Sequence, residues 1–142
     1  MERAIKFRAL KADVDNPIFL YGQLVYDAIG QPRITEVDKS GQGLIFHTCL
    51  RGTEGQFTGL FDKNGKEIFD GDLLNIGANE FGFVVNREGK KVIYEVRVDG
   101  CDYILFRTDL NLIWGRISRL DEMGWDCEVI GNIFENAELL KK

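Results

Sequence analysis

The 142-residue chain is 44% hydrophobic and 29% charged, the composition of one ordinary globular domain over 1–142, long enough to bury a core without staples. A net charge of −5 argues against a protein that coats phosphate backbones, because such binding rests on clustered Lys and Arg. The three cysteines, Cys49, Cys101 and Cys127, have no CxxC spacing, and no apolar run approaches the ~18 residues of a membrane span. The expectation is therefore a cytoplasmic protein with reduced thiols, without a disulfide framework, zinc knuckle or membrane anchor.

Glycine is in excess, 16 residues against 2 prolines, and is spread among short apolar runs, which points to tight turns between strands. Residues 4–10 alternate, with Ile5, Phe7 and Ala9 on one face, and predict a first strand. After the turn formers of 13–17, residues 18–26 predict a second strand with a break at Gly22. Residues 34–38 and 44–50 flank Gly41-Gln42-Gly43 as a hairpin. Residues 57–61 and 67–69 flank Asn64-Gly65, a strong two-residue turn signal, and 73–76 reads as a buried strand. Phe81, Phe83 and Val85, then Val92, Tyr94, Val96 and Val98, alternate as a further hairpin, with 102–107 as the third strand of a meander. Leu110, Ile113, Trp114, Ile117, Leu120 and Met123 recur at helical spacing and predict one helix over about 109–123, with Thr108 or Asp109 as its N-cap. Residues 125–134 return to strand, and Asn136 is placed to cap a last helical turn. The fold class is thus mainly β, short antiparallel strands and hairpins in a sandwich or barrel-like arrangement with one helix.

Few residues invite chemistry. Asp62 and Asn64 could open a calcium loop, but that loop needs Gly sixth and Glu twelfth, where Glu67 and Leu73 stand. A metal site from Asp62, Glu67, Asp70 and Asp72 weighs less than solvated turn carboxylates. His47 and Cys49, two apart in a predicted strand, share a face as a thiolate–imidazole pair must, yet their neighbours Ile45, Phe46 and Leu50 suggest a packed sheet. No P-loop, GxSxG or dinucleotide fingerprint occurs, so no cofactor and no enzymatic activity are expected. Arg87, Lys90, Lys91 and Arg97 gather at the later hairpin, with Arg107, Arg116 and Arg119 in the segments that follow and Tyr94, Tyr103 and Trp114 as stacking surfaces. They read either as a nucleic-acid-binding face or, more in keeping with the acidic total, as lysines and arginines protecting a sheet edge.

Three ordered strings carry a resemblance: Ile5 to Ala9 (IKFRA), the central TGL, DKNGKEI and GD between Thr58 and Asp72, and VIGNI, EN and ELL between Val129 and Leu140. Together they resemble the YopX family, small proteins encoded by phages and prophages. The resemblance implies a β-rich fold and provides no catalytic residue. Phe61, where relatives carry a Lys-like residue, and Ala137, where Pro is usual, depart from the pattern only in loops. Gly59, Asp62, Asn64, Gly65, Gly71, Asp72, Gly131 and Asn132 are the motif residues, and their turn chemistry alone assigns them to fold making. On that reading glycine substitutions harm folding more than any charge change in the motif.

The function expected is a non-enzymatic binding or assembly module acting as a homo-oligomer, since an aromatic content of 11% and long alternating strands leave edges and apolar faces to cover. Its partners are then itself, and another phage or host protein. The alternative is a phage accessory factor contacting nucleic acid, or a host nucleic-acid-binding protein, through the basic hairpin.

Overall fold

Short apolar runs separated by residues that tolerate left-handed backbone become strands and tight turns throughout. The computed structural model describes residues 5–78, 82–83, 91–100, 102–117 and 126–140. Its strands are β1 (Phe7–Leu10), β2 (Phe19–Tyr26), β3 (Pro32–Val37), β4 (Leu44–Thr48), β5 (Gly55–Phe61), β6 (Glu67–Phe69), β7 (Asp72–Ala78), β8 (Gly82–Phe83), β9 (Tyr94–Asp99), β10 (Asp102–Arg107), β11 (Leu112–Arg116) and β12 (Asp126–Asn132). A 3-10 turn, Ala137–Leu140, follows. Two antiparallel sheets result, ordered β4-β3-β2-β1-β5-β6 and β11-β10-β9-β7-β12, with β8 beside β7 and no closed barrel among the described residues. The chain divides into two compact units, Met1–Gly59 and Leu60–Lys142, and β5 runs through the boundary.

In the first unit, β1 to β4 pair each with the next in sequence. Cross-strand partners share a face. Ala9 opposes Leu20, while Ile34 opposes both Leu24 and His47, which gathers a small core of Ala9, Ile34 and Cys49 with Phe7, Leu20 and Leu24 against it. β2 is continuous through Gly22, contrary to the expected break. Its missing side chain is what permits this: a Cβ there would lie 2.8 Å from the Thr35 carbonyl oxygen. Beyond β4 the chain bridges the extension of β1 at Lys11↔Cys49, with Ala12 N–H donating to Thr48 C=O and Leu50 N–H to Leu10 C=O.

In the second unit, β7 lies between β9 and β12, and its Leu74 and Ile76 join Ile68, Val92, Tyr94, Val96, Leu105, Ile117 and Cys127 in a larger core. Deleting a buried Leu or Ile there costs ~2–5 kcal/mol by the usual cavity arithmetic. The helix expected over 109–123 is not formed where the structure describes it. Residues 112–116 are β11, paired to β10 with a register shift between Leu105 and Phe106, and 118–123 lie outside the described residues. Both expected caps are engaged elsewhere. Thr108 donates through its N–H and its hydroxyl to the Ile93 carbonyl, and Asp109 holds Arg107 at 2.8 Å. Asn111 turns the chain at φ +54°, and Gly115 with the β-branched Ile113 and Ile117 disfavours helix at the remaining positions. Of the hairpin expected from Phe81 to Val98, Gly82–Phe83 pair with the end of β7, β9 pairs β7 and β10, and 84–90 lie outside the described residues.

Gly65 and Gly71 sit at φ +80° and +92°, where an L side chain is strained. Gly65→Val and Gly71→Val should each lower unfolding free energy by at least ~1 kcal/mol in urea melts. Gly71→Val should lose more, because its added Cβ would also stand 3.4 Å from the Phe134 ring.

Candidate functional site

The motif residues of the second unit close into one hydrogen-bonded frame. After β5, Asp62 turns the chain back. Its Oδ1 accepts the N–H of Asn64 at 2.9 Å and of Lys66 at 2.8 Å, while Gly65 N–H reaches the Asp62 carbonyl. Its Oδ2 accepts Val129 N–H, 67 residues on, at 2.9 Å, and Lys63 N–H adds a bond to Cys127 C=O. The β5–β6 turn is thereby fixed to β12. At the next turn Asp72 Oδ2 accepts Phe69 N–H at 2.8 Å, Gly71 N–H donates to Val96 C=O, and Gly71 C=O accepts Ile133 N–H. Asp72 opposes Asn132 in the β7·β12 ladder.

Asn132 repeats the device at the end of β12. Its Oδ1 accepts the N–H groups of Phe134 and Glu135, its Nδ2 donates to Glu135 Oε1, and its own N–H donates to Asn136 Oδ1. Asn136 therefore bonds backward to β12, where the sequence placed it as a helix cap. A register shift between Val129 and Gly131 marks a bulge in β12, and a Cβ on Gly131 would fall 2.5 Å from Asn136 Oδ1. Asp62, Asp72 and Asn132 are all buried. Their polar atoms replace backbone partners that water would otherwise supply. The sequence marks these residues as turn formers, but the long bond from Asp62 to Val129 has no local signal. No group of three or more His, Cys, Asp or Glu side chains suited to a metal ion occurs among the described residues.

Burial raises the proton affinity of Asp62, but the N–H groups of Val129, Lys66 and Asn64 and the Lys66 charge outweigh it and hold the carboxyl below its ordinary 3.8. The expected ranking of glycine over charge changes is tested most sharply at this residue, since an amide can accept two of the three donors and not the third.

The His47–Cys49 pair does not assemble. Cys49 is fully buried, its thiol donates to the His47 carbonyl at 3.3 Å, and its pKa is raised, chiefly by burial. The His47 ring lies 3.5 Å from Glu36 Oε1. Cys127 is likewise buried, and desolvation pushes its thiol up to about 11. Neither thiol has the thiolate character of a nucleophile.

Of the four residues singled out at the basic hairpin, Arg87 and Lys90 lie outside the described residues and Lys91 is exposed. Arg97 is bidentate to Glu95, at 2.9 and 3.1 Å, and stacks 3.5 Å over Phe106. Arg107 is bidentate to Asp109, and Arg116 meets Asp102 at 3.4 Å. Tyr94, expected as a stacking surface, is instead fully buried, with Trp114 edge-on at 5.5 Å between centroids. The alternation of Val92, Tyr94 and Val96, expected as a strand, is that of a strand in the core, with all three side chains buried.

Two outcomes test these assignments. Asp62→Asn should lower stability at pH 7 by ~1 kcal/mol, as expected when the half-buried Val129 N–H loses its acceptor. Because the folded-state pKa is depressed, the native Asp62 contributes stability above 3.8 that is lost as pH falls through its folded value; acid titration of Asp62→Asn should lack that part of the loss. Cys49 and Cys127 should resist alkylation at pH 8 in the folded protein and react fully in denaturant, whereas rapid native labelling of Cys49 would reinstate a reactive thiol.

Comparison with solved structures shows similarity over 99% of this chain and 100% of the other to the crystal structure of protein EF1440 from Enterococcus faecalis, with a TM-score of 0.58 and 24% identity. That likeness concerns the fold. The search of curated proteins returns no match. The family described as YopX protein matches residues 6–141, which takes in β1, the Asp62 turn, the Gly71-Asp72 turn and the Asn132 loop. The chain belongs to the YopX family.

Proposed function

We propose that this YopX-family protein is a non-enzymatic binding or assembly module of phage or prophage type, acting in the host-cell cytoplasm as a homo-oligomer. One observation carries the reading. The first unit has a small core, yet one face of its β2–β4 sheet presents Tyr21, Val25, Val37, Leu44 and Phe46 at 37–61% exposure. On this face Val37, Leu44 and Phe46 are neighbours by register, with Gln23, Thr35 and Arg33 beside them, and exposed apolar groups rimmed by polar ones are a feature of interaction sites. The motif supports the same reading: its buried carboxylates and amide are engaged with backbone groups, which suits a rigid scaffold. Nucleic acid is disfavoured as partner because Arg97, Arg107 and Arg116 each face a carboxylate.

Light scattering on the purified chain should return a multiple of its 16.2 kDa mass across micromolar concentrations. A monomer mass throughout that range would overturn the proposal. Mobility-shift titration with single- and double-stranded DNA should show no binding at physiological salt; salt-sensitive, sub-micromolar binding would favour the nucleic-acid reading instead.

A further inference from the structure

We infer that the oligomer forms by antiparallel pairing of β4 with β4 of a second copy about a two-fold axis at Ile45. The inference rests on the self-association proposed above and names its surface.

The sheet orders leave β4, β6, β11 and β12 at the edges. Natural sheets guard such edges with charge or bulges. β6 carries Glu67; β11 carries Arg116 and faces a register shift; β12 carries Asp126 and Glu128 and has its own shift. β4 is Leu44-Ile45-Phe46-His47-Thr48, with no Asp, Glu, Lys, Arg or Pro and no shift against β3. Its first three residues are all exposed, and in a chain of net charge −5 an uncharged strand is where two copies repel least.

The register states what this edge offers. Asp38 N–H bonds Gly43 C=O and Cys49 N–H bonds Pro32 C=O, so the odd-numbered β4 residues direct their backbone groups to β3. Leu44, Phe46 and Thr48 direct theirs outward. Thr48 C=O accepts Ala12 N–H, and no partner meets the outward groups of Leu44 and Phe46 among the described residues. An antiparallel copy centred on Ile45 places Leu44 opposite Phe46 of the second copy and Phe46 opposite its Leu44, satisfying the outward N–H and C=O groups of both residues in both chains.

The faces match as well. Gln23, Thr35, Val37, Leu44 and Phe46 share one face by register, and an open cleft of about 360 Å³ there is lined by Gln23, Thr35, Val37 and Leu44 together with Ile5, Gly22 and the charged Lys6 and Glu36. In the paired arrangement the incoming Phe46 ring arrives on that face beside Leu44, at the cleft. The exposed parts of Val37, Leu44, Ile45 and Phe46 amount to roughly 400 Å², about half of the ~800 Å² a partner gives to a standard interface, so the new backbone ladder has to supply the rest of the association.

Ile45 would face its own copy in a non-hydrogen-bonded pair, with Cα atoms ~4.5 Å apart, within disulfide reach of ~4.4–6.8 Å. The test uses the full chain at up to ~100 μM, in a Cys101→Ser background, with Ile45→Cys and, separately, Phe46→Lys. Mild oxidation of Ile45→Cys should give a covalent species of twice the chain mass that reductant reverses, and a Gln23→Cys control should give none. Phe46→Lys, with unchanged circular dichroism, should weaken association at least tenfold by light scattering. An oligomeric native protein that neither cross-links through position 45 nor loosens in Phe46→Lys would overturn this interface while leaving the homo-oligomer standing. A monomeric native protein would overturn both.

Discussion

The bond from the Asp62 carboxylate to the Val129 amide is the constraint on which the second unit depends. One buried side chain closes the turn between β5 and β6 through Asn64 and Lys66 and at the same time holds the middle of β12 at Val129, where its register along β7 shifts. Desolvation works against a buried carboxylate, and three N–H donors are what keep it ionised there. Replacing it with an apolar residue would release the Asn64, Lys66 and Val129 N–H groups together, so the turn and its tie to β12 are loosened by the same change.

Asp72 and Asn132 extend the same logic along β7 and β12. They sit opposite each other in the ladder, and each takes up backbone N–H groups of the turn beside it. Gly71 and Gly131 make room for this, one by its left-handed backbone and the other by leaving space for Asn136. A polar cluster dense in Asp and Asn thus serves packing of turns on strands, and the family pattern follows the needs of the backbone.

Much of the architecture was legible because it is local. Alternation located most of the strands, and Asn64-Gly65 and Asp70-Gly71 marked real turns. The errors share a cause. Leu110 to Ile117 has helical spacing, but its would-be caps, Thr108 and Asp109, bond to Ile93 and Arg107, groups whose proximity only the sheet creates. Tyr94 was read as a stacking surface for its ring beside basic residues, and sequence proximity to charge does not say which way a strand residue faces. The Asp62–Val129 bond was invisible for the same reason: each residue is ordinary within its own segment. The open edge at β4 is also a tertiary property, since an apolar strand in sequence looks the same at the centre of a sheet as at its margin.

Sixty-seven residues separate Asp62 from Val129. At ~5–20 residues per second, a ribosome needs roughly 3–13 s to cover that interval, and β7, once made, waits first for β9 and then for β12. The pairings among β1 to β4, and of β1 with the start of β5, need nothing beyond Gly59. Synthesis therefore supplies the partners of β1 to β4 early, while the second unit carries a hydrated carboxylate and a strand without its β12 neighbour until the last segment arrives.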